Sequence, residues 1–414
     1  MNYTPFSQTQ DAIEEARPRS NAFKPRRVAV DATCWQNNRG YGRHARNLLS
    51  ALTRVDTDNR YWFFVDSAEM LDLIPSTVEA ILVNTSRPTA QAASSDGRRS
   101  LSDMLRMSRA FSKPGFDLVL FPTVYSYVPV FSRAHKMVFI HDVIAEKFPD
   151  LTLPSPSARL AWNLKVKTAL YQAGTIVTVS EFSKLGIIDV FDVAAQNVKV
   201  IGEAPSPVFK KLEDLPPIDT LPEWMSEESR QIVYIGGFGP HKNLIRLLEV
   251  FARLAARAEF TDISLILVGE YKSEVFHSEY AELRRKIIAL GIEARVVFTD
   301  YLPDEALVVL LNRAHMLVLP SLLEGFGLPA VEAAACGCPV VATKCSPLPD
   351  LLGEAALYFD PYNNNELEEA LIRVLASESL RHHLSLAGIK AAEKLTWDHA
   401  ALALKELIGS VRPL

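Results

Sequence analysis

Short apolar runs recur along this chain and alternate with longer stretches whose apolar positions return at helical spacing. In the first half, Arg27 to Asp31, Tyr61 to Val65, Ala80 to Val83, Leu118 to Phe121, Met137 to Ile140, Thr175 to Val179 and Val198 to Ile201 have the length and β-branched content of buried strands. Arg43 to Arg54 and Ser157 to Ala173 read as helices among them. A second series runs strand Ile232 to Ile235, helix Leu244 to Arg257, strand Ser264 to Val268, helix Tyr280 to Leu290 and strand Val296 to Phe298. It continues with helix Asp304 to Asn312, strand Met316 to Leu319, strand Val340 to Ala342 and a short strand near Tyr358. Helices over Asn365 to Ala376 and Ser379 to Lys394 follow. Strands that alternate with helices predict parallel sheets covered by helices.

Between the two series, Ala204 to Pro222 carries five prolines and several acidic residues, the composition of a linker rather than of an element interior. The expected division is a tail over residues 1–25, a first domain over 26–203, a linker over 204–230, a second domain over 231–395 and a closing helix over 396–414. The tail is polar and proline-dotted, without the apolar core of a signal peptide.

The most informative segment runs from Ser321 to Glu332, Ser-Leu-Leu-Glu-Gly-Phe-Gly-Leu-Pro-Ala-Val-Glu, between an apolar strand and a small-residue helix. Pro329 suits a first helical turn, where its missing N–H costs nothing. Free N–H groups at that helix start make a site for anionic oxygen. A ligand with a diphosphate at its middle and a sugar at each end would suit it. Glu324 could then accept from the hydroxyls of one sugar and Glu332 from those of the other. The plainer alternative is a solvated loop glutamate and a second one favoured by the helix dipole.

With Gly-Phe-Gly-Leu-Pro between the two acids and Ala-Cys-Gly-Cys-Pro-Val-Val-Ala-Thr after them, the segment resembles the Glu-x7-Glu signature of family 4 retaining glycosyltransferases. The resemblance covers nearly the whole chain after the tail. It implies an α/β chain of the GT-B fold, two Rossmann-like doubly wound domains facing each other across a cleft. It also implies that the helix from Trp397 crosses back to the first domain, which the pattern alone does not give. By the same resemblance, Glu324 and the backbone of Gly325, Phe326, Gly327 and Leu328 hold the transferred sugar, with the Leu328 N–H near phosphate, and Glu332 holds the ribose.

Other segments agree with it. Asn37-Asn38-Arg39-Gly40-Tyr41-Gly42-Arg43 follows the first strand, where glycines let backbone approach a phosphate. A plain turn has the same spacing; the resemblance puts Gly40 and Gly42 near the diphosphate, with Arg43 capping the helix or touching substrate. Gly236 to Asn243 opens the second domain and ends at a helix start with a cation, Lys242. The family pattern implies that Lys242 stabilises the leaving phosphate, a large catalytic contribution for a preorganised charge. Here Gly237 and His241 stand where the family often has arginines, so the phosphate site rests on Lys242, His241 and helix N-termini. His141 lies at a strand end, where open α/β sheets place ligands, and the resemblance turns it toward the reacting sugar. Ser180 and Ser183 match the family's Val-Ser-x-x-Ser, yet equally suit helix N-caps. Tyr301, in Asp300-Tyr301-Leu302, falls where family members contact the base. The catalytic set expected is His141, Glu324 and Lys242.

Composition narrows the class further. A net charge of -5 over 414 residues argues against a nucleic-acid partner. Cys34, Cys336, Cys338 and Cys345 fit no zinc spacing, no Asp-x-Asp pair follows a strand, and neither metal nor cofactor is expected. No apolar run reaches the ~20 residues of a membrane span, and a reducing cytosol is the expected compartment. Arg98, Arg99, Arg106, Arg109 and Lys113 accompany Leu101, Met104, Leu105 and Phe111 on one helix. Such a face suits either solvent or peripheral contact with the inner membrane surface. The resulting expectation is a retaining, metal-independent hexosyltransferase with a nucleotide-diphosphate sugar as donor, GDP-mannose first, and a glycan or lipid-linked glycan acceptor. A non-catalytic nucleotide-sugar-binding partner of a transferase complex, or another GT-B enzyme such as a phosphorylase or epimerase, is the rival.

Overall fold

A computed structural model describes residues 25–411, except 38–39, 87–88, 90–99, 154, 218–221, 226–228 and 272–278. Asn38, Arg39, Arg98, Arg99 and the tail before residue 25 therefore lie outside the described residues. The strands are β1 (Arg27–Asp31), β2 (Arg60–Val65), β3 (Glu79–Leu82), β4 (Leu118–Phe121), β5 (His135–Phe139), β6 (Thr175–Thr178) and β7 (Val198–Val200). The second set is β8 (Arg230–Ile235), β9 (Ile263–Val268), β10 (Val296–Asp300), β11 (Met316–Leu319), β12 (Val340–Thr343) and β13 (Ala356–Phe359).

They form two sheets, seven strands in the order β3-β2-β1-β4-β5-β6-β7 and six in the order β10-β9-β8-β11-β12-β13. Every recorded pairing is parallel. Both orders reverse once, between β1 and β4 and between β8 and β11. Loops leaving the carboxyl ends there diverge, which opens a crevice for ligand in each Rossmann-like domain. The Gly-rich loop after β8 and the signature loop after β11 flank the second crevice.

The two-residue period of the strands divides the first domain's core between its faces. Val28, Val30, Leu120 and Phe139 pack with Leu48, Leu49 and Leu52 of the helix Gly40–Val55. Ala29, Phe64, Val119 and Val138 pack on the other face with Met107 and Phe111 of the helix Leu101–Phe111. Trp397, Ala401, Leu404 and Ile408 of the last helix, Trp397–Ser410, join the first of these clusters, so the chain ends against the domain in which it began. Thr396 starts that helix by accepting from His399 N at 3.2 Å.

Two segments differ from the sequence expectation. The helix Glu181–Phe191 was foreshadowed only by its cap, because Gly186 and apolar residues on every face blur its period; Ser180 Oγ accepts from Ser183 N at 3.0 Å. The proline-rich connector is not free-standing over its described residues. Ala204 is buried in the first core, whereas Phe209 and Met225 are buried in the second. Asn312 accepts from Leu212 N at 2.9 Å and donates to Lys210 O at 3.0 Å, fastening that stretch to the second domain. Among the described residues no helix is long and apolar enough to cross a membrane.

Candidate active site

The second domain's wall is built by two loops tied together. After β8, Pro240–Lys242 forms a single 3-10 turn and Asn243 takes the left-handed conformation, φ 60°. The Asn243 side chain donates to Pro320 O at 3.0 Å and Pro361 O at 2.9 Å, and Leu322 N donates to His241 O at 2.9 Å. The signature loop is thereby held against the Gly-rich loop, and Lys242 Nζ comes 2.7 Å from Glu324 Oε1. The same oxygen accepts from Ser321 Oγ at 2.5 Å. Gly327 has φ 86°, a conformation that a side chain would strain, and turns the chain into the helix Leu328–Ala335. Pro329 sits in its first turn and no side chain caps it; Ala330 N donates to Gly327 O at 2.9 Å, which leaves the Leu328 N–H at the helix start for a ligand.

His241 plays a different part from the one a cation would. Burial, with Lys242 adding, pushes its imidazole down to about 3, so the ring is neutral at ordinary pH. It can offer hydrogen bonds to phosphate but no charge. Gly237 is exposed with open space around it, and so is Gly40. Gly42 has another reason to be glycine: a Cβ there would lie 2.0 Å from Asn37 O. Tyr301 is about half exposed and follows Asp300, which is left-handed at φ 63°.

The first domain faces this wall with residues far apart in sequence. Arg43, in the first turn of Gly40–Val55, reaches across the cleft. Its Nη2 lies 2.7 Å from Glu332 Oε1 and 3.2 Å from Asp304 Oδ2, and its Nη1 lies 3.4 Å from Glu332 Oε2. Glu332 is 1% exposed, and burial pushes its carboxyl up to about 8 while Arg43 opposes the shift. Gly325 meets the first domain as well. A Cβ on it would lie 2.9 Å from both Asp142 Cβ and His141 O, and its carbonyl accepts from Ser180 Oγ at 2.7 Å and Ser183 Oγ at 3.0 Å. Ser180 is thus both the anticipated N-cap and a bridge between domains.

His141 stands two residues beyond β5. Its Nε2 donates to Pro122 O at 3.0 Å, and its Nδ1 lies 3.6 Å from Glu203 Oε1. The fully buried His44 brings Nδ1 to 3.0 Å from the same oxygen. Among the described residues these three form the one cluster of metal-ligand types, their donor atoms within 4.8 Å of one another. Sequence reading missed His44, Glu203, Asp304 and Ser321. Glu203 had a signal in its place just past β7 at the carboxyl edge of the sheet, and Ser321 in opening the signature segment.

A cavity of about 300 Å³ opens beside Glu324, with Asp142, Lys147, Ser183 and Asp189 of the first domain along it. On the outer face, Leu101 and Leu105 are 77% and 53% exposed, and Arg106, Arg109 and Lys113 line a groove next to them.

Comparison with known proteins agrees with this architecture. Residues 223–391 match the model of the family Glycosyl transferases group 1. O-antigen chain mannosyltransferase B of Escherichia coli is 28% identical over 232 residues, 56% of this chain and 59% of that protein. MMP alpha-(1->4)-mannosyltransferase of Mycolicibacterium hassiacum is 31% identical over 239 residues, 57% of this chain and 54% of that protein. The chain therefore matches little more than half the length of these curated relatives. Sucrose-phosphate synthase from Thermosynechococcus elongatus superposes with a TM-score of 0.73 at 20% identity, covering 92% of this chain and 97% of that one. The chain has the GT-B fold and resembles polysaccharide mannosyltransferases, with the match to the glycosyl transferases group 1 model confined to residues 223–391.

Proposed function

We propose that the protein is a retaining hexosyltransferase that uses a nucleotide-diphosphate sugar. The observation that carries this reading is the Lys242–Glu324 pair, 2.7 Å apart at the uncapped start of the helix Leu328–Ala335. A cation and the Leu328 N–H at the helix start suit a diphosphate, and the carboxylate beside them suits the hydroxyls of the sugar it carries. In this reading residues 231–395 hold the donor, 26–203 face the acceptor and 204–230 connect them. Glu332 holds the ribose, Tyr301 lies along the base, and Gly40, Gly42 and Gly237 bring backbone to the phosphates. Gly325, Phe326, Gly327 and Leu328 line the transferred sugar, with His141 across the cleft.

The acceptor hydroxyl enters on the leaving-group side. Its oxygen bonds the anomeric carbon as the bond from that carbon to the phosphate oxygen breaks. The departing phosphate oxygen takes the hydroxyl proton, so configuration is retained without an enzyme nucleophile. Lys242 and the Leu328 N–H stabilise the negative charge that develops. The cavity beside Glu324 is the way in for a glycan or lipid-linked glycan. The exposed leucines near Arg106 and Arg109 suit peripheral contact of such a cytosolic enzyme with the inner membrane surface.

Mannose from GDP-mannose is the preferred donor, supported by the mannosyltransferases among the relatives. Incubating the protein with a panel of nucleotide sugars and oligosaccharide acceptors, with excess chelator present, tests the whole reading. An α-linked product from an α-linked donor, formed despite chelator, is the expected result. Inverted configuration, or transfer only after magnesium or manganese is restored, overturns the mechanism. Donor binding without any product favours a non-catalytic nucleotide-sugar-binding role.

A further inference from the structure

We propose that Glu203 is a positioning residue for the transfer reaction, anchored by His44 and fixing the orientation and proton of His141. The proposal rests on the hexosyltransferase reading but adds a residue that the signature loops do not contain. Three elements converge: His44 from the helix Gly40–Val55, His141 after β5 and Glu203 after β7. Both Nδ1 atoms address one oxygen, Glu203 Oε1, at 3.0 Å from His44 and 3.6 Å from His141. The first is a hydrogen-bond distance and the second a charge contact.

The carbonyl of Pro122 fixes the tautomer. A carbonyl only accepts, so His141 Nε2, 3.0 Å away, must carry a proton. A neutral His141 would then point the bare lone pair of Nδ1 at a carboxylate. A protonated one points an N–H at it, and the charges attract. The ring of His44 meets that of His141 edge-on, centroids 4.6 Å apart, which blocks rotation on that side.

The electrostatics agree with the geometry. Burial lowers His141, but the Glu203 contact, Pro122 and Asp142 outweigh it and leave the group raised. Burial lowers His44, which favours its neutral ring beside Glu203. Burial raises Glu203, but the two histidines pull it down to about 2, so it is ionised throughout the working range. Glu332 faces Glu203 from the opposite wall, itself paired to Arg43 of the first domain, and Asp142 adds a carboxylate beside His141. Glu203 therefore favours the protonated form of His141, whose Nε2 is already committed to Pro122 O, and in that form the ring acts on the donor by charge and shape rather than as a base. A fixed cation at the cleft floor favours the departing diphosphate.

Glu203→Gln, with Glu203→Asp as the conservative control, tests the assignment in the full chain. Its readouts are the pH profile of transfer, the donor KM and the imidazole titration of His141 by nuclear magnetic resonance. Removing the charge that partners the buried imidazole predicts a fall in kcat of roughly tenfold to a hundredfold in Glu203→Gln, with donor KM within about twofold. The basic limb of the profile moves to lower pH, the His141 titration moves with it, and Glu203→Asp restores part of both. An unmoved His141 titration, or kcat, KM and melting temperature declining together, overturns the proposal. So does one equivalent of zinc bound by the wild type and lost in Glu203→Gln, because the cluster would then be a metal site. The resonance arm needs no turnover: a shifted His141 titration in a chain that transfers no sugar refutes the hexosyltransferase reading and leaves the Glu203–His141 coupling standing.

Discussion

The two walls of the cleft are made in different ways. The second domain builds its wall from two continuous loops, Gly236 to Asn243 and Ser321 to Leu328, each leaving a strand beside the switch point. Their critical contacts lie within that domain: Lys242 to Glu324 at 2.7 Å, and Asn243 to Pro320 and Pro361 at 3.0 and 2.9 Å. The first domain builds its wall from single residues, Arg43, His44, His141 and Glu203, gathered by the sheet from across most of its length. Two of its contacts, Arg43 to Glu332 and Ser180 to Gly325, are completed only by the other domain. A continuous loop can carry a site through any arrangement of the domains, whereas a wall of crossing contacts exists only when they meet.

The largest test of that contrast removes the cation from the self-contained wall. Lys242→Ala should lower kcat by roughly a hundredfold to a thousandfold, the scale of losing one preorganised donor to developing charge. It should also weaken nucleoside diphosphate binding and leave a nucleoside without phosphates unaffected. Calorimetric titration of both ligands decides it. Equal losses for the two would make Lys242 structural and would remove the phosphate site from this wall.

Glu324→Ala comes next. The lost carboxylate leaves Ser321 and Lys242 without their shared partner, and in the proposed function it removes the hydroxyl contacts to the transferred sugar. Turnover should fall roughly tenfold to a hundredfold while the affinity for nucleoside diphosphate holds within a few-fold. Unchanged turnover with the proper donor would sink the assignment of Glu324.

These differences decide what could be read from the sequence. The loops after β8 and β11 are contiguous, and their glycines, proline and charges mark the proposed anion site before any fold is known. Strands reading as apolar runs placed both sheets, because parallel strands are buried on two faces. His44 could not be recognised as part of a site, since one buried histidine on an amphipathic helix looks like core. Its partner Glu203 lies 159 positions later (203 − 44), and only the sheet order brings them together. Gly325 was read as a sugar-lining glycine, yet the space it leaves is filled by Asp142 and the His141 carbonyl, a constraint that exists only between domains.

Gly325→Ala sharpens the contrast at the contact itself. A Cβ 2.9 Å from Asp142 Cβ and His141 O forces the walls apart, at a cost of about 1–3 kcal/mol to the closed arrangement. Neither core is touched, so the thermal unfolding of each domain should be unchanged. Small-angle scattering should report a larger radius of gyration, and donor turnover should fall by about tenfold. An unchanged radius with unchanged turnover would mean that the close approach at Gly325 plays no part in bringing the walls together.

The smallest effect, and the one most specific to the crossing contacts, concerns Arg43. Its guanidinium engages both oxygens of Glu332, at 2.7 and 3.4 Å, and these are the atoms that a ribose would need. The ligand-free pairing therefore competes with the donor, and removing it should release Glu332. Arg43→Met keeps the stem near the Phe209 ring, over which the guanidinium carbon sits 5.5 Å from the centroid. Burial raises the Glu332 carboxyl to about 8 and Arg43 lowers it, so the variant raises it further. At neutral pH the carboxyl is then protonated, which avoids the penalty of an unpaired buried charge, and it can still exchange hydrogen bonds with hydroxyls. Nucleoside diphosphate should bind a few-fold tighter to Arg43→Met at pH 7, with the melting temperature of the free protein slightly reduced. Calorimetric titration at low and moderate salt measures it. Weaker binding would show that Arg43 holds the nucleotide itself, and the first domain's wall would then share the donor with the second.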